Sequence, residues 1–68
     1  MNINITVNGL VQQYTDGLTI SELLKSKELN ALRVVVEVNK EIVKREKFDE
    51  YRLSEGDCVE VLRFVGGG

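Results

Sequence analysis

The sequence predicts an α+β domain of two layers, in which one helix lies across one face of a mixed sheet of about five strands. Three patterns support this fold: alternating apolar residues near the start, one fully marked helix start, and β-branched runs in the second half. At 68 residues, the chain is long enough for one domain and too short for two. We assign residues 1–65 to the folded domain and residues 66–68 to a flexible tail.

The start of the chain predicts a β-hairpin. Apolar residues at positions 3, 5 and 7 alternate with polar ones, which is the period of a half-buried strand. The dipeptide Asn8-Gly9 follows, and it tolerates the positive φ angles of a tight hairpin turn. We therefore expect Leu10–Tyr14 to return as the antiparallel partner strand.

A complete helix-start signal follows the hairpin. Thr19 can cap the helix, and Glu22 three residues later completes a capping box. Leu18 and Leu23 stand at the two positions of a hydrophobic staple. We expect this helix to end near Glu28.

The second half predicts three more strands. Alternating and β-branched residues indicate a central strand, a short strand after a turn at Asn39-Lys40, and a last strand. These strands are predicted at Arg33–Val38, Glu41–Val43 and Cys58–Val65. The charged stretch Lys44–Leu53 is expected to be an irregular connection with one helical turn.

The composition excludes several classes of function. Nine Lys and Arg against eleven Asp and Glu give a net charge of −2, which disfavours nucleic acid as a partner. No apolar run approaches the roughly 18 residues of a membrane span, and no signal peptide is visible, so we expect a cytoplasmic protein. The chain has no His and one Cys, which excludes His-based catalytic sites and clustered cysteine metal sites. We therefore expect a binding or carrier protein with no catalytic residues, metal or bound cofactor.

The sequence ends in three glycines directly after the last predicted strand. Glycine has no side chain, so Gly66, Gly67 and Gly68 would present the terminal carboxylate at the end of a narrow peptide segment. A segment without side chains can enter a narrow active site. A frayed terminus or an expression scar is the alternative interpretation.

Four parts of the chain are informative together: Val38–Val43, Arg45, Gly56–Val61 and Phe64–Gly68. They resemble the ThiS family, the sulfur carriers of thiamine biosynthesis, which have the ubiquitin-like β-grasp fold. The resemblance runs over the whole length, and the first half matches only in pattern. The ending Phe-Val-Gly-Gly-Gly is its most specific part.

The resemblance implies a mechanism centred on Gly68. An E1-like (ThiF-type) enzyme would adenylate its carboxylate with ATP and Mg²⁺, so the cofactors belong to the partner. A sulfur-donating enzyme would then supply sulfur as a persulfide. The resulting thiocarboxylate would deliver sulfur to a thiazole synthase (ThiG-type). Gly67 would enter the partner's channel with Gly68, and Gly66 would act as a spacer.

The end of the last strand is the predicted docking surface. Leu62 is expected on the open face of the sheet, provided that its strand neighbours Val59 and Val61 pack against the helix. Val65 and Arg45 are further candidate contacts. Phe64 is expected either beside Leu62 or turned into the core by a bulge. Cys58, as a lone strand cysteine, is expected to be a small packing residue.

Other functions fit the same fold. The molybdopterin synthase small subunit shares the tail chemistry, although its members often carry prolines before the final glycines and this chain has none. Sulfur carriers for transfer-RNA thiolation or cysteine synthesis are further alternatives. A non-covalent β-grasp interaction module with an inert tail is an alternative of a different class.

Overall fold

The computed structural model describes residues 1–64, which form a five-stranded mixed sheet and one α-helix. The strands lie in the order β2-β1-β5-β3-β4; β1 and β5 are parallel, and the other neighbours are antiparallel. This confirms the predicted fold class. The elements are β1 (Asn2–Val7), β2 (Leu10–Thr15), α1 (Ile20–Ser26), β3 (Val34–Val38), β4 (Glu41–Val43) and β5 (Cys58–Arg63), with 3₁₀ turns at Ala31–Arg33 and Arg45–Lys47.

Small differences separate the predicted and observed bounds. The first residue of the predicted central strand, Arg33, belongs to the 3₁₀ turn before β3. Helix α1 ends two residues before the predicted Glu28, because Glu28 has a φ of +57° and leaves the helical conformation. Strand β5 ends at Arg63, and Val65 and the tail at 66–68 lie outside the described residues.

One face of the sheet packs against α1 and forms the core. Inward residues of β1, β3 and β5 contact three apolar residues of the helix. Phe48 and Leu53, from the irregular connection, complete this core. The buried residues are Ile3, Ile5, Val7, Ile20, Leu23, Leu24, Val34, Val36, Val38, Phe48, Leu53, Val59 and Val61.

The start of α1 is stabilised both locally and from a distance. Thr19 Oγ1 accepts from the Glu22 amide at 3.1 Å, and Glu22 Oε1 accepts from the Thr19 amide at 2.9 Å, which confirms the capping box. The next amides, of Ile20 and Ser21, donate to carbonyls of the irregular connection at 3.1 and 3.0 Å. The connection therefore satisfies donors that a helix start leaves unpaired. Within residues 1–64, no helix has the length and apolar character needed to cross a membrane.

Two tight turns of the same kind join neighbouring antiparallel strands. Asn8 and Gly9 have φ angles of +48° and +86°, and Asn39 and Lys40 have φ angles of +52° and +71°. Positive φ at both central residues is the geometry that matches the twist of a hairpin. Asparagine adopts this conformation more readily than most residues, which explains its place at the start of both turns.

Candidate functional site

The candidate site is the end of the sheet from which the chain leaves β5, which we call the exit end. On the β3 side, Arg63 lies opposite Val34, and the Phe64 amide donates to the Arg33 carbonyl at 2.9 Å. The backbone is therefore hydrogen-bonded to its neighbour as far as Phe64. The glycine tail begins two residues later in the sequence.

On the β1 side, a side chain continues the pairing after the strand has ended. The last backbone bond runs from the Asn8 amide to the Val59 carbonyl at 2.9 Å. Beyond it, Asn8 Oδ1 accepts from the Val61 amide at 2.8 Å, and Asn8 Nδ2 donates to the Val61 carbonyl at 3.3 Å. The sequence pattern predicts a turn at Asn8 but not these contacts, since they join residues 53 positions apart.

The face of the sheet opposite α1 is open. Leu62 is 68% exposed and Phe64 is 53% exposed, which confirms the prediction for Leu62 and places Phe64 outside the core. The bulge interpretation of Phe64 is wrong, because its side chain is exposed and its amide donates to the carbonyl of Arg33, the residue just before β3. Val35 lies directly opposite Leu62 and extends this apolar surface across β3.

Two carboxylates lie beside this apolar surface. Glu37 and Glu60 are directly opposite each other on β3 and β5, and exposed Ile42 lies opposite Glu37 on β4. Val35, Leu62 and the two glutamates line a shallow depression of about 80 Å³. The sequence pattern places Val35 and Glu37 on one face of β3, but the pairing with Glu60 and Ile42 follows from the sheet order.

Arg45 lies in the 3₁₀ turn after β4 and has a structural contact. Its Nε donates to the Ala31 carbonyl at 3.0 Å, which ties this turn to the turn that precedes β3. Both turns are at the exit end, because the start of β3 lies opposite the end of β5. Arg45 is exposed, and its role as a partner contact stays a prediction. Gly66, Gly67, Gly68 and Val65 lie outside the described residues.

The thiol of Cys58 is exposed, so the expectation that it is a packing residue is wrong. Cys58 alternates with the buried Val59 and therefore points to the open face of β5. The strand pattern predicts two faces but does not indicate which one the helix covers. Within residues 1–64, no group of three acidic or cysteine side chains could hold a metal ion.

These features define a β-grasp domain whose last strand leads into a glycine tail, and comparison with known proteins identifies its family. The model of the ThiS family matches residues 5–68. The chain belongs to the ThiS family.

Individual relatives agree with this assignment. The sulfur carrier protein ThiS of Bacillus subtilis is 46% identical over 53 residues, covering 78% of this chain and 80% of that protein. The crystal structure of the thiamine biosynthesis protein ThiS from Geobacter metallireducens superposes with a TM-score of 0.83 at 40% identity, covering 97% of this chain and all of that one. A thiazole synthase of Paramagnetospirillum magneticum is 29% identical over 66 residues, which are 97% of this chain but only 20% of that enzyme.

Proposed function

We propose that this chain, a sulfur carrier protein of thiamine biosynthesis and not itself an enzyme, carries sulfur as a thiocarboxylate on Gly68. Its family and its relative in Bacillus subtilis support the carrier function. The observation that carries the chemical proposal is that the family match extends through residue 68 and so includes the three terminal glycines.

The chemistry proceeds in steps that partner proteins catalyse. A carboxylate is a poor electrophile, so an E1-like (ThiF-type) enzyme joins the Gly68 carboxylate to AMP, using ATP and Mg²⁺ and releasing pyrophosphate. A persulfide sulfur from a sulfur-donating enzyme attacks the acyl carbon, and AMP leaves. A thiol of a partner enzyme then attacks the donor's sulfur in the acyl disulfide, which forms a disulfide between the thiol and the donor and releases the thiocarboxylate. Covalent activation of this kind replaces one difficult step by several easier ones.

A thiazole synthase (ThiG-type) is the proposed sulfur acceptor. The support is that a ThiS-like sequence occupies about a fifth of a named thiazole synthase. A carrier-like segment within the same polypeptide is expected if carrier and synthase act together. We place these reactions in the cytoplasm, where a free thiol such as Cys58 stays reduced.

The proposed docking surface is the open face at the exit end. Leu62 and Phe64 are exposed there, and both come shortly before the tail in the sequence. Apolar side chains that are exposed together often mark an interaction surface. Arg45 and Val65 complete the proposed contact set. An enzyme that docks here would contact the last described residues before the tail.

Intact mass spectrometry tests the proposed chemistry. The chain is incubated with a cognate adenylating enzyme, ATP, Mg²⁺ and a sulfur source, and the C-terminal peptide is then analysed. Replacement of one oxygen by sulfur is the expected result, and it must be resolved from added oxygen at Met1 or Cys58. If an adenylating enzyme that is active on another carrier produces no such change, the carboxylate chemistry is wrong. A carrier with an amidated Gly68 is the matched control, and it is expected to stay unmodified. Amidation would not affect partner binding by a non-covalent interaction module.

Gly68→Ala tests whether the tail enters a narrow channel. The added methyl group is expected to displace the reacting carboxylate and to lower the adenylation rate by about tenfold to a hundredfold, since small misplacements have effects of this size. Gly66→Ala is the matched control, with a smaller fall expected at the spacer position. Initial rates of pyrophosphate release measure both, and equal rates for the two variants would contradict the channel.

A further inference from the structure

We propose that Asn8 is a positioning residue for the carrier reaction: its side-chain amide holds the end of β5 and so sets where the chain leaves this strand. This inference rests on the proposed function, because it concerns how Gly68 is presented to the adenylating enzyme. Val61 lies seven positions before Gly68. It is the last residue of β5 to which a described hydrogen bond from the β1 side is made.

The side-chain amide of Asn8 takes the place of strand backbone beside Val61. Backbone pairing between β1 and β5 covers only Thr6 with Cys58 and Val7 with Val59. At Asn8 the chain turns away into the hairpin with a φ of +48°. Its side chain then offers one acceptor and one donor to the amide and carbonyl of Val61, in place of the backbone groups that a longer parallel strand would supply. A primary amide matches the peptide group in both functions.

Removal of this amide has a local consequence. Val61 would lose both partners on the β1 side, and the end of β5 would be held by β3 alone. The free energy of opening is lowest where few hydrogen bonds hold a segment, so the strand would fray from Phe64 back toward Val61. The adenylating enzyme would then have to order the docking residue Leu62 when it binds. The free energy needed to order this residue weakens binding.

Asn39 is a matched control within the same chain. It occupies the same position of an equivalent turn, with a φ of +52°. Its Oδ1 accepts from the Cys58 amide at 3.0 Å, so it also holds β5 with its side chain. Cys58 is at the beginning of β5, and the exit end is at the other end of the strand. The two asparagines thus differ in which end of β5 they hold.

The experiment compares Asn8→Gly with Asn39→Gly. Glycine removes the side chain and tolerates the positive φ at both positions. Both variants are assayed as substrates of the adenylating enzyme, under conditions in which circular dichroism shows each to be fully folded. For Asn8→Gly, we expect KM to rise about fivefold or more, with kcat close to that of the unchanged chain. A rise of this size corresponds to the loss of about one net hydrogen bond. For Asn39→Gly, KM is expected to stay close to that of the unchanged chain. Equal KM values for the two variants would overturn the proposal.

Amide hydrogen exchange on the free carriers provides a second readout. Asn8→Gly is expected to speed exchange at Val61 and Phe64, whereas Asn39→Gly is expected to speed exchange at Cys58. Asn8→Asp retains an acceptor for the Val61 amide but loses the donor, so its exchange rates and KM are expected to be intermediate. If the unchanged chain is not adenylated at all, the proposed function fails. The exchange rates still decide whether Asn8 holds this end of β5, and unchanged rates at Val61 and Phe64 in Asn8→Gly would refute that.

Discussion

The two faces of the sheet are made from the same strands but have different roles. On β5, Val59 is fully buried against the helix layer, whereas Leu62, three residues later, is 68% exposed. On β3, Val36 is fully buried, whereas Glu37 beside it points to the open face. Side chains of a strand alternate between its faces, so one short segment can serve two purposes. The covered face stabilises the fold, and the open face presents the surface that we propose for docking.

The largest effect on stability is expected on the covered face. Leu23→Ala removes a fully buried side chain of α1 from the core and is expected to lower the free energy of unfolding by about 2–5 kcal/mol. Leu62→Ala makes the same chemical change on the open face, and its expected effect is within about 0.5 kcal/mol. Urea denaturation followed by circular dichroism measures both. Similar losses in the two variants would show that the faces do not differ in this way.

The open face is tested by a change that affects binding. Leu62→Glu places a charge on the proposed docking surface and is expected to weaken binding to the adenylating enzyme by about fivefold or more, as for a residue with a significant share of the binding energy. Unfolding should change little. Leu10→Glu is the matched control, because Leu10 is 66% exposed but lies opposite Val7, on the other face at the sheet edge. Isothermal titration calorimetry measures both affinities. Unchanged binding by Leu62→Glu would contradict the proposed docking surface.

The smallest effect is expected from the opposed carboxylates. Like charges directly opposite each other destabilise a sheet, so Glu60→Gln is expected to raise the free energy of unfolding by about 0.2–1 kcal/mol. Added salt should reduce this gain, since it screens exposed charges. Denaturation at low and high salt measures it. Glu41→Gln is the control, because Glu41 lies opposite Val38 rather than another carboxylate; an equal gain there would exclude pairwise repulsion as the cause.

Much of the fold was predictable because its signals are local. The alternation before Asn8, the capping box of Thr19 and Glu22, and the bounds of β4 are all confirmed. These features depend on residues a few positions apart, where period, capping and turn chemistry act directly. The resemblance at the end of the chain predicted the family, which the family model confirms.

The errors and omissions concern residues that the fold brings together from a distance. Cys58 is exposed because α1 covers the other face of β5, and the alternation of a strand does not distinguish its faces. Phe64 remains outside the core because its amide pairs with the carbonyl of Arg33, which directly precedes the neighbouring strand β3. The local sequence is compatible with either outcome for both residues.

The sequence by itself determined the order and kind of the elements, the tight turns and the class of protein, because these depend on short-range patterns and on a distinctive ending. Only the tertiary structure decided which face is open, which residues adjoin Leu62 there, and that Asn8 holds Val61. Those features require parallel pairing of β1 with β5, the first and last strands of the described chain. Such pairing is set by burial of the whole core around α1, and no local pattern contains it.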